Sequence, residues 1–234
     1  MSAGSVLAAG AAEWGLALSP QTLGQFSAYY DFLREKNEVM DRTAVLGEEE
    51  TALRHVLDSL SLLPLAPFAG ARVLDVGSGA GFPGLPLKLA EPSLRLTLLD
   101  AQGKRVDFLR ELCLRLGTEA ECLHARAEEQ ALRPGYRDGY DIAVSRAVAR
   151  LNVLTELCLP FVKPGGLFLA MKARDSDEEL REAEGAIARL GGRLEEVREL
   201  TVGEVPRRVL RIRKEKPTPK GYPRRFAKIK KEPL

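Results

Sequence analysis

Apolar residues in the first quarter of the chain recur at three- and four-residue spacing. Leu23, Phe26, Tyr30 and Leu33 therefore fall on one face of a helix. Ser19-Pro20, just ahead, offers a hydroxyl N-cap and a proline at the first helical position, and the stretch 19–63 reads as helical. A second helix is predicted from residue 48 to about 62, with Leu53, Val56, Leu57 and Leu60 on its buried side; Pro64 and Pro67 end it. After Gly70 the period changes. Short apolar runs at 72–76, 94–99, 120–124, 140–144 and 167–171 read as strands, with helices between them at 84–90, 104–116 and 151–159 and a charged helix at 176–190. Two more strands are expected at about 195–202 and 207–213, joined by a link too short for a crossover helix, so this closing pair adds an antiparallel edge. The fold class this predicts is α/β: a doubly wound, mostly parallel sheet with an antiparallel final strand, preceded by a small helical N-terminal extension. The expected organisation is a helical region at 1–66, a core at 67–214 and a tail at 215–234.

Composition changes this picture only at the ends. The 234 residues are 45% hydrophobic and 29% charged, as in ordinary globular proteins. No apolar run is long enough to span a bilayer, and residues 1–12, though small and apolar, lack the basic flank of a signal peptide. Cys113, Cys122 and Cys158 are odd in number and scattered without metal-type spacing, so they read as small buried hydrophobes in a reducing compartment, and the cytoplasm is expected. The net charge of +2 is uneven: residues 206–234 hold 12 Lys or Arg against two Glu, a local +10 that leaves about −8 on the rest. A basic tail on an acidic body suits a polyanion, or else it is a solvated terminus. Tyr222 and Phe226, set among its cations, fit stacking on RNA, or the tail folds back onto the core.

The most informative stretch is Val73-Leu74-Asp75-Val76-Gly77-Ser78-Gly79-Ala80-Gly81-Phe82-Pro83-Gly84. Glycines after a first strand let the chain turn sharply and bring bare backbone to a ligand. A pyrophosphate loop starting at Gly77 would place its third glycine where Phe82 stands. The run Gly77, Gly79, Gly81 behind an acid instead suits S-adenosylmethionine, whose ammonium Asp75 can hold directly or through water. Asp100, at the end of the second strand, can accept both ribose hydroxyls, as carboxylates in nicotinamide enzymes also do. Loop and acid together point to a nucleoside-containing cofactor. His55 and His124 have no second ligand at metal spacing and read as packing and strand-end residues; Phe26, Tyr29 and Tyr30 read as helix core. No metal site is expected.

That loop, with Leu98-Leu99-Asp100, Gly103-Lys104-Arg105-Val106 and Phe108-Leu109, resembles the 16S ribosomal RNA guanine-N7 methyltransferases, also called glucose-inhibited division protein B. Further matches are His55 with Asp58-Ser59-Leu60, Ala127-Glu128, Ser145-Arg146-Ala147, Lys163-Pro164-Gly165-Gly166 with Met171-Lys172, and the tail Pro217-Thr218-Pro219, Tyr222-Pro223-Arg224-Arg225 and Pro233-Leu234. Ala227 and Ile229 stand where the family's tail has a glycine and a proline.

The resemblance implies a class I methyltransferase (Rossmann-like) that methylates N7 of guanine 527 in 16S rRNA, with S-adenosyl-L-methionine as cofactor. It implies cofactor contacts at Gly77, Phe82, Ala127, Glu128 and Arg146, with Gly79 and Asp100, Ala101 and Gln102 nearby; Asp75 joins them on its position in the strand. Arg146 and Lys172, at the ends of the fourth and fifth strands, and Arg207, Arg208, Lys220, Tyr222, Arg224 and Arg225 are the candidate RNA contacts. The plainer alternative for Arg146 is a surface salt bridge, and for Lys172 a solvated lysine. Guanine N7 has a free lone pair, so no general base is required, and none is evident. The expected partner is 16S rRNA or the small ribosomal subunit, assembly intermediates included, met by a monomer away from membranes. Two other readings are a nicotinamide-dependent oxidoreductase, which lacks its catalytic dyad here, and a non-catalytic RNA-binding protein with a vestigial pocket.

Overall fold

The computed structural model describes residues 3–39, 48–174, 176–202 and 205–234, with side chains left out at 37–39 and 48–53. Three helices come first: α1 (Ala3–Ala12), α2 (Pro20–Val39) and α3 (Glu48–Leu60). Ser19 caps α2, its hydroxyl accepting the Thr22 N–H at 3.1 Å. The expected helical character of 40–47 and the burial expected for Leu53 lie outside the described residues. Helix α1 has no counterpart among the helices predicted from spacing; its small residues hide Leu7 and Ala11 against the other two helices.

Seven strands follow: β1 (Arg72–Val76), β2 (Arg95–Asp100), β3 (Glu121–His124), β4 (Tyr140–Arg146), β5 (Val162–Ala173), β6 (Gly192–Val202) and β7 (Val205–Lys214). They form one sheet in the order β3-β2-β1-β4-β5-β7-β6. The first five pair in parallel, and β7 runs antiparallel to both neighbours, inserted between β5 and β6. The last strand is thus the antiparallel one, but β6 rather than β7 forms the edge, because the short link lets β7 fold back into the open side of β5.

Side chains alternate across the sheet. Val73, Leu96, Leu98, Ile142, Val144, Leu169 and Met171 pack towards α1–α3, α4 (Gly84–Ala90) and α5 (Gly103–Leu116). Leu74, Val76, Ala143, Phe168 and Ala170 pack the other way, towards α6 (Ala127–Gln130), α7 (Leu151–Cys158) and α8 (Asp177–Arg189). The strand order reverses between β1 and β4, and at such a switch point a crevice opens outside the carboxyl ends of the strands. The cysteines are less scattered than the sequence suggests: α5 and β3 bring Cys113 and Cys122 Sγ to 4.0 Å, and Cys122 is only partly buried.

The tail is ordered against the core, ending in α9 (Phe226–Lys231), whose Ile229 is fully buried. Glu156 of α7, itself fully buried, accepts the Arg224 backbone N–H at 2.8 Å and its Nη2 at 2.6 Å. Arg137 donates to the Thr218 and Tyr222 carbonyls, each at 2.8 Å, and buried Lys214 donates to the Leu159 carbonyl at 2.6 Å and Thr218 Oγ1 at 2.5 Å. Of the two readings left open for the tail, the fold-back is the one seen, while Lys220, Arg225, Lys228, Lys230 and Lys231 stay exposed on it.

Candidate active site

The site is built where β1 ends. The chain turns at Gly77 (φ 74°), and the Gly77 and Ser78 N–H groups donate to the Leu99 carbonyl of β2 at 2.8 and 3.1 Å. Helix α4 then starts so close to β1 that the Gly84 N–H donates to Asp75 Oδ2 at 2.9 Å; a Cβ on Gly84 would stand 2.8 Å from that oxygen. Asp75 is fully buried, and its other oxygen, Oδ1, has no hydrogen-bond partner. Burial pushes the carboxyl up to about 7, against the opposing pull of the Gly84 amide and the Arg146 guanidinium. A buried acceptor without a donor is costly, and a cation brought to it would relieve that cost.

Asp100 ends β2 and is 3% exposed. Its Oδ2 accepts the Gly79 N–H at 3.1 Å and its Oδ1 the Gln102 N–H at 2.9 Å, so it ties the glycine loop to the start of α5. Oδ2 also lies 3.5 Å from Arg105 Nη1, while Oδ1 keeps a lone pair for a further donor. Ala101 and Gln102 lie exposed at the rim, while Ala127 and Glu128 are buried in the first turn of α6.

The helical extension supports the loop from the other side. The Tyr29 ring stacks on Phe82 at 5.0 Å, and its hydroxyl donates to the Ala80 carbonyl at 2.6 Å. Arg146, leaving β4, holds its guanidinium 5.0 Å from the centre of the Phe82 ring. Its Nη1 donates to Asp58 Oδ2 at 3.2 Å and to His55 Nδ1 at 3.4 Å. Burial, then the charge of Arg146, holds the His55 pKa below its ordinary value, which keeps Nδ1 free to accept. After Arg146 the chain turns at Ala147 (φ 55°), a left-handed conformation unusual for a residue with a Cβ, and Val148 covers Gly77. Arg146 is thus no surface salt bridge. Tyr29 and His55, which read as packing residues from sequence, touch the site as well, and so does Asp58, which spacing alone does not single out. His-x-x-Asp on one helix is the signal that could have found them, since residues three apart share a face.

A family model described as GidB, rRNA small subunit methyltransferase G, matches residues 22–208. The chain belongs to this family. The ribosomal RNA small subunit methyltransferase G of Acetivibrio thermocellus is 44% identical over 98% of this chain and 96% of its own, and that of Bacillus subtilis is 44% identical over 96% of each. Among solved structures, a SAM-dependent methyltransferase from Aquifex aeolicus superposes with a TM-score of 0.53 at 21% identity, over 76% of this chain and 97% of its own. A methyltransferase from Pyrococcus furiosus gives 0.58 at 15% identity over 69% and 83%. These two likenesses concern the fold.

In this member of the methyltransferase G family the candidate RNA contacts separate into two groups. Lys172 is bound to Glu179 and the Ala149 carbonyl, both at 2.6 Å, and Arg208 to Asp177 and Glu199 at 2.6 and 2.9 Å. Arg224 is committed to Glu156. Their positions along the chain could not reveal these acids, of which Glu156 is buried while Asp177 and Glu199 are exposed, so all three cations already hold carboxylate partners in the folded chain. Arg207 is part-exposed beside Asp58, Tyr222 is half-buried, and Lys220 and Arg225 are exposed. Among the described residues, no three His, Cys, Asp or Glu side chains are grouped to hold a metal ion, and no helix is long and apolar enough to cross a membrane.

Proposed function

We propose that the chain transfers a methyl group from S-adenosylmethionine to N7 of a guanine in small-subunit ribosomal RNA, guanine 527 of 16S rRNA on the family resemblance. The observation that carries the reading is the buried, unpartnered Asp75 Oδ1 under the glycine loop at the switch point of a methyltransferase-family chain. The residues present fit the cofactor. Asp75 would answer an α-ammonium, Asp100 has a lone pair for a ribose hydroxyl, and Ala127 and Glu128, in the first turn of α6, are the residues proposed for the adenine.

The cofactor supplies an electrophilic methyl group on sulfur. Guanine N7 needs no deprotonation, so the protein's work is to hold, orient and keep water out. Phe82, roofed by Tyr29 and flanked by Arg146, gives the site an apolar wall with one cation at its edge. N7 lies in the deep, narrow groove of A-form RNA, so the target base must be unpaired or flipped. Arg146, Arg207, Lys220, Tyr222 and Arg225 are proposed to hold the RNA around it. The setting proposed is the cytoplasm, with the enzyme acting as a monomer on 16S rRNA or the small subunit.

Calorimetric titration tests the cofactor assignment. Adenosylmethionine should bind with one site per chain and NAD should not; NAD binding in place of adenosylmethionine would overturn the reading.

A further inference from the structure

Three elements converge on one buried carboxylate that the methyl-transfer chemistry does not use. Asp58 on α3 is 2% exposed. Its Oδ2 accepts Arg146 Nη1 at 3.2 Å, and its Oδ1 lies 3.2 Å from Nε of Arg207, the residue facing Ala173 across the β5–β7 ladder. The second contact is an ion pair without a hydrogen bond, since Oδ1 has no aligned donor. His55, one helical turn earlier, takes the same Arg146 nitrogen. Two guanidiniums from separate strands thus share one carboxylate, which leaves a local excess of one positive charge at the mouth of the site.

We propose that Asp58 is a positioning residue that fixes the Arg146 and Arg207 guanidiniums as a pair to receive an RNA phosphodiester beside the target guanine. The inference rests on the reading of the chain as an rRNA methyltransferase. A long arginine side chain left alone samples many rotamers even with a phosphate nearby, and ordering it on the way from the bound complex to the transition state costs free energy; a carboxylate that orders two of them beforehand removes that cost from the methyl-transfer step. Asp58 does this without touching the substrate. Its negative charge also opposes indiscriminate phosphate binding, so the pair favours a phosphate presented in the right place over any phosphate.

The two roles separate in Asp58→Asn, which keeps the shape and loses the charge. Both arginines remain, so RNA affinity should be equal to or higher than that of the parent, with an unchanged slope against log salt. The kcat on small-subunit RNA should fall at least tenfold. A structural role alone would instead lower the Tm and leave kcat of the folded fraction unchanged. Added to the double variant Arg146→Ala/Arg207→Ala, Asp58→Asn should cause no further loss of the residual activity, because Asp58 acts through those two arginines. If Asp58→Asn does not fold, Asp58→Glu keeps the charge but displaces both guanidiniums, and the same tenfold loss in kcat is expected. Parent kcat in a folded Asp58 variant, or a further loss when Asp58→Asn is added to Arg146→Ala/Arg207→Ala, would overturn the inference while an inactive Arg146→Ala upheld the site. Parent activity in Arg146→Ala would overturn the site reading and this inference with it.

Discussion

Near neutral pH Asp75 stands close to the midpoint of its titration, because burial raises its carboxyl to about 7. Only the ionised form pairs with an ammonium, so adenosylmethionine affinity, lost again above about pH 8 as the ammonium itself deprotonates, should rise with pH up to about 7. Below that point it should fall by about tenfold per pH unit at most. The stability of the ligand-free chain runs the opposite way. A carboxyl whose folded pKa is raised contributes stability below its unfolded pKa and loses it as pH rises through the folded value. Asp75→Asn should therefore give a higher ligand-free Tm at pH 8, together with cofactor binding weakened by about 1.5–3 kcal/mol and no longer rising as the pH is brought up to about 7. Calorimetry and thermal melts between pH 5.5 and 8.5 check both; a variant that binds like the parent at every pH would remove Asp75 from the site. Tyr29 makes a smaller contribution. Tyr29→Phe keeps the stack on Phe82 but loses the donor to the Ala80 carbonyl, which should cost about 1 kcal/mol and lower the Tm by roughly 2–4 °C. An unchanged Tm and an unchanged cofactor off-rate would show that the loop does not depend on that bond.

At the scale of elements, β1, β2, β4 and the helices between them were legible because a period of two followed by a period of 3.6, punctuated by Gly117 and the glycine loop, admits few other folds. Asp75, next to the end of β1, and Asp100, the last residue of β2, could be located in their strands from sequence, because the glycine loop and the start of α5 mark where those strands stop. Pairings between distant elements were not legible. Nothing in the spacing of Glu156 and Arg224 shows that they meet, and the same holds for Asp58 and Arg207, so a cation such as Arg224 looks free until its buried partner is seen. This pair ties the tail to α7. Removing one partner of a buried ion pair leaves the other uncompensated, so Glu156→Ala should cost about 3–5 kcal/mol. It should also open residues 215–234 to trypsin before the core is cut. A comparable loss of stability with the tail still resistant would show that Ile229 and the Arg137 contacts hold it without Glu156.

Over the whole molecule, charge is divided as the basic tail suggested, but the tail carries its cations on an ordered strap rather than a loose end. Phe226, exposed near the Arg126 guanidinium at 5.9 Å, brings that strap beside α6, whose first turn holds Ala127 and Glu128. The exposed cations of that strap, Lys220, Arg225, Lys228, Lys230 and Lys231, are proposed as the flank that RNA meets. Replacing these five by glutamine should weaken RNA binding and flatten its dependence on log salt by about 0.7–0.9 for each phosphate no longer neutralised; an unchanged slope would remove the tail from the interface. The central claim is tested most directly by transferring labelled methyl from adenosylmethionine to unmethylated small subunits and to deproteinised 16S rRNA, then identifying the modified base. The result predicted is N7-methylguanine at guanine 527 and nowhere else. Label on another base or another position, or no label on either substrate from a chain that binds the cofactor, would contradict it.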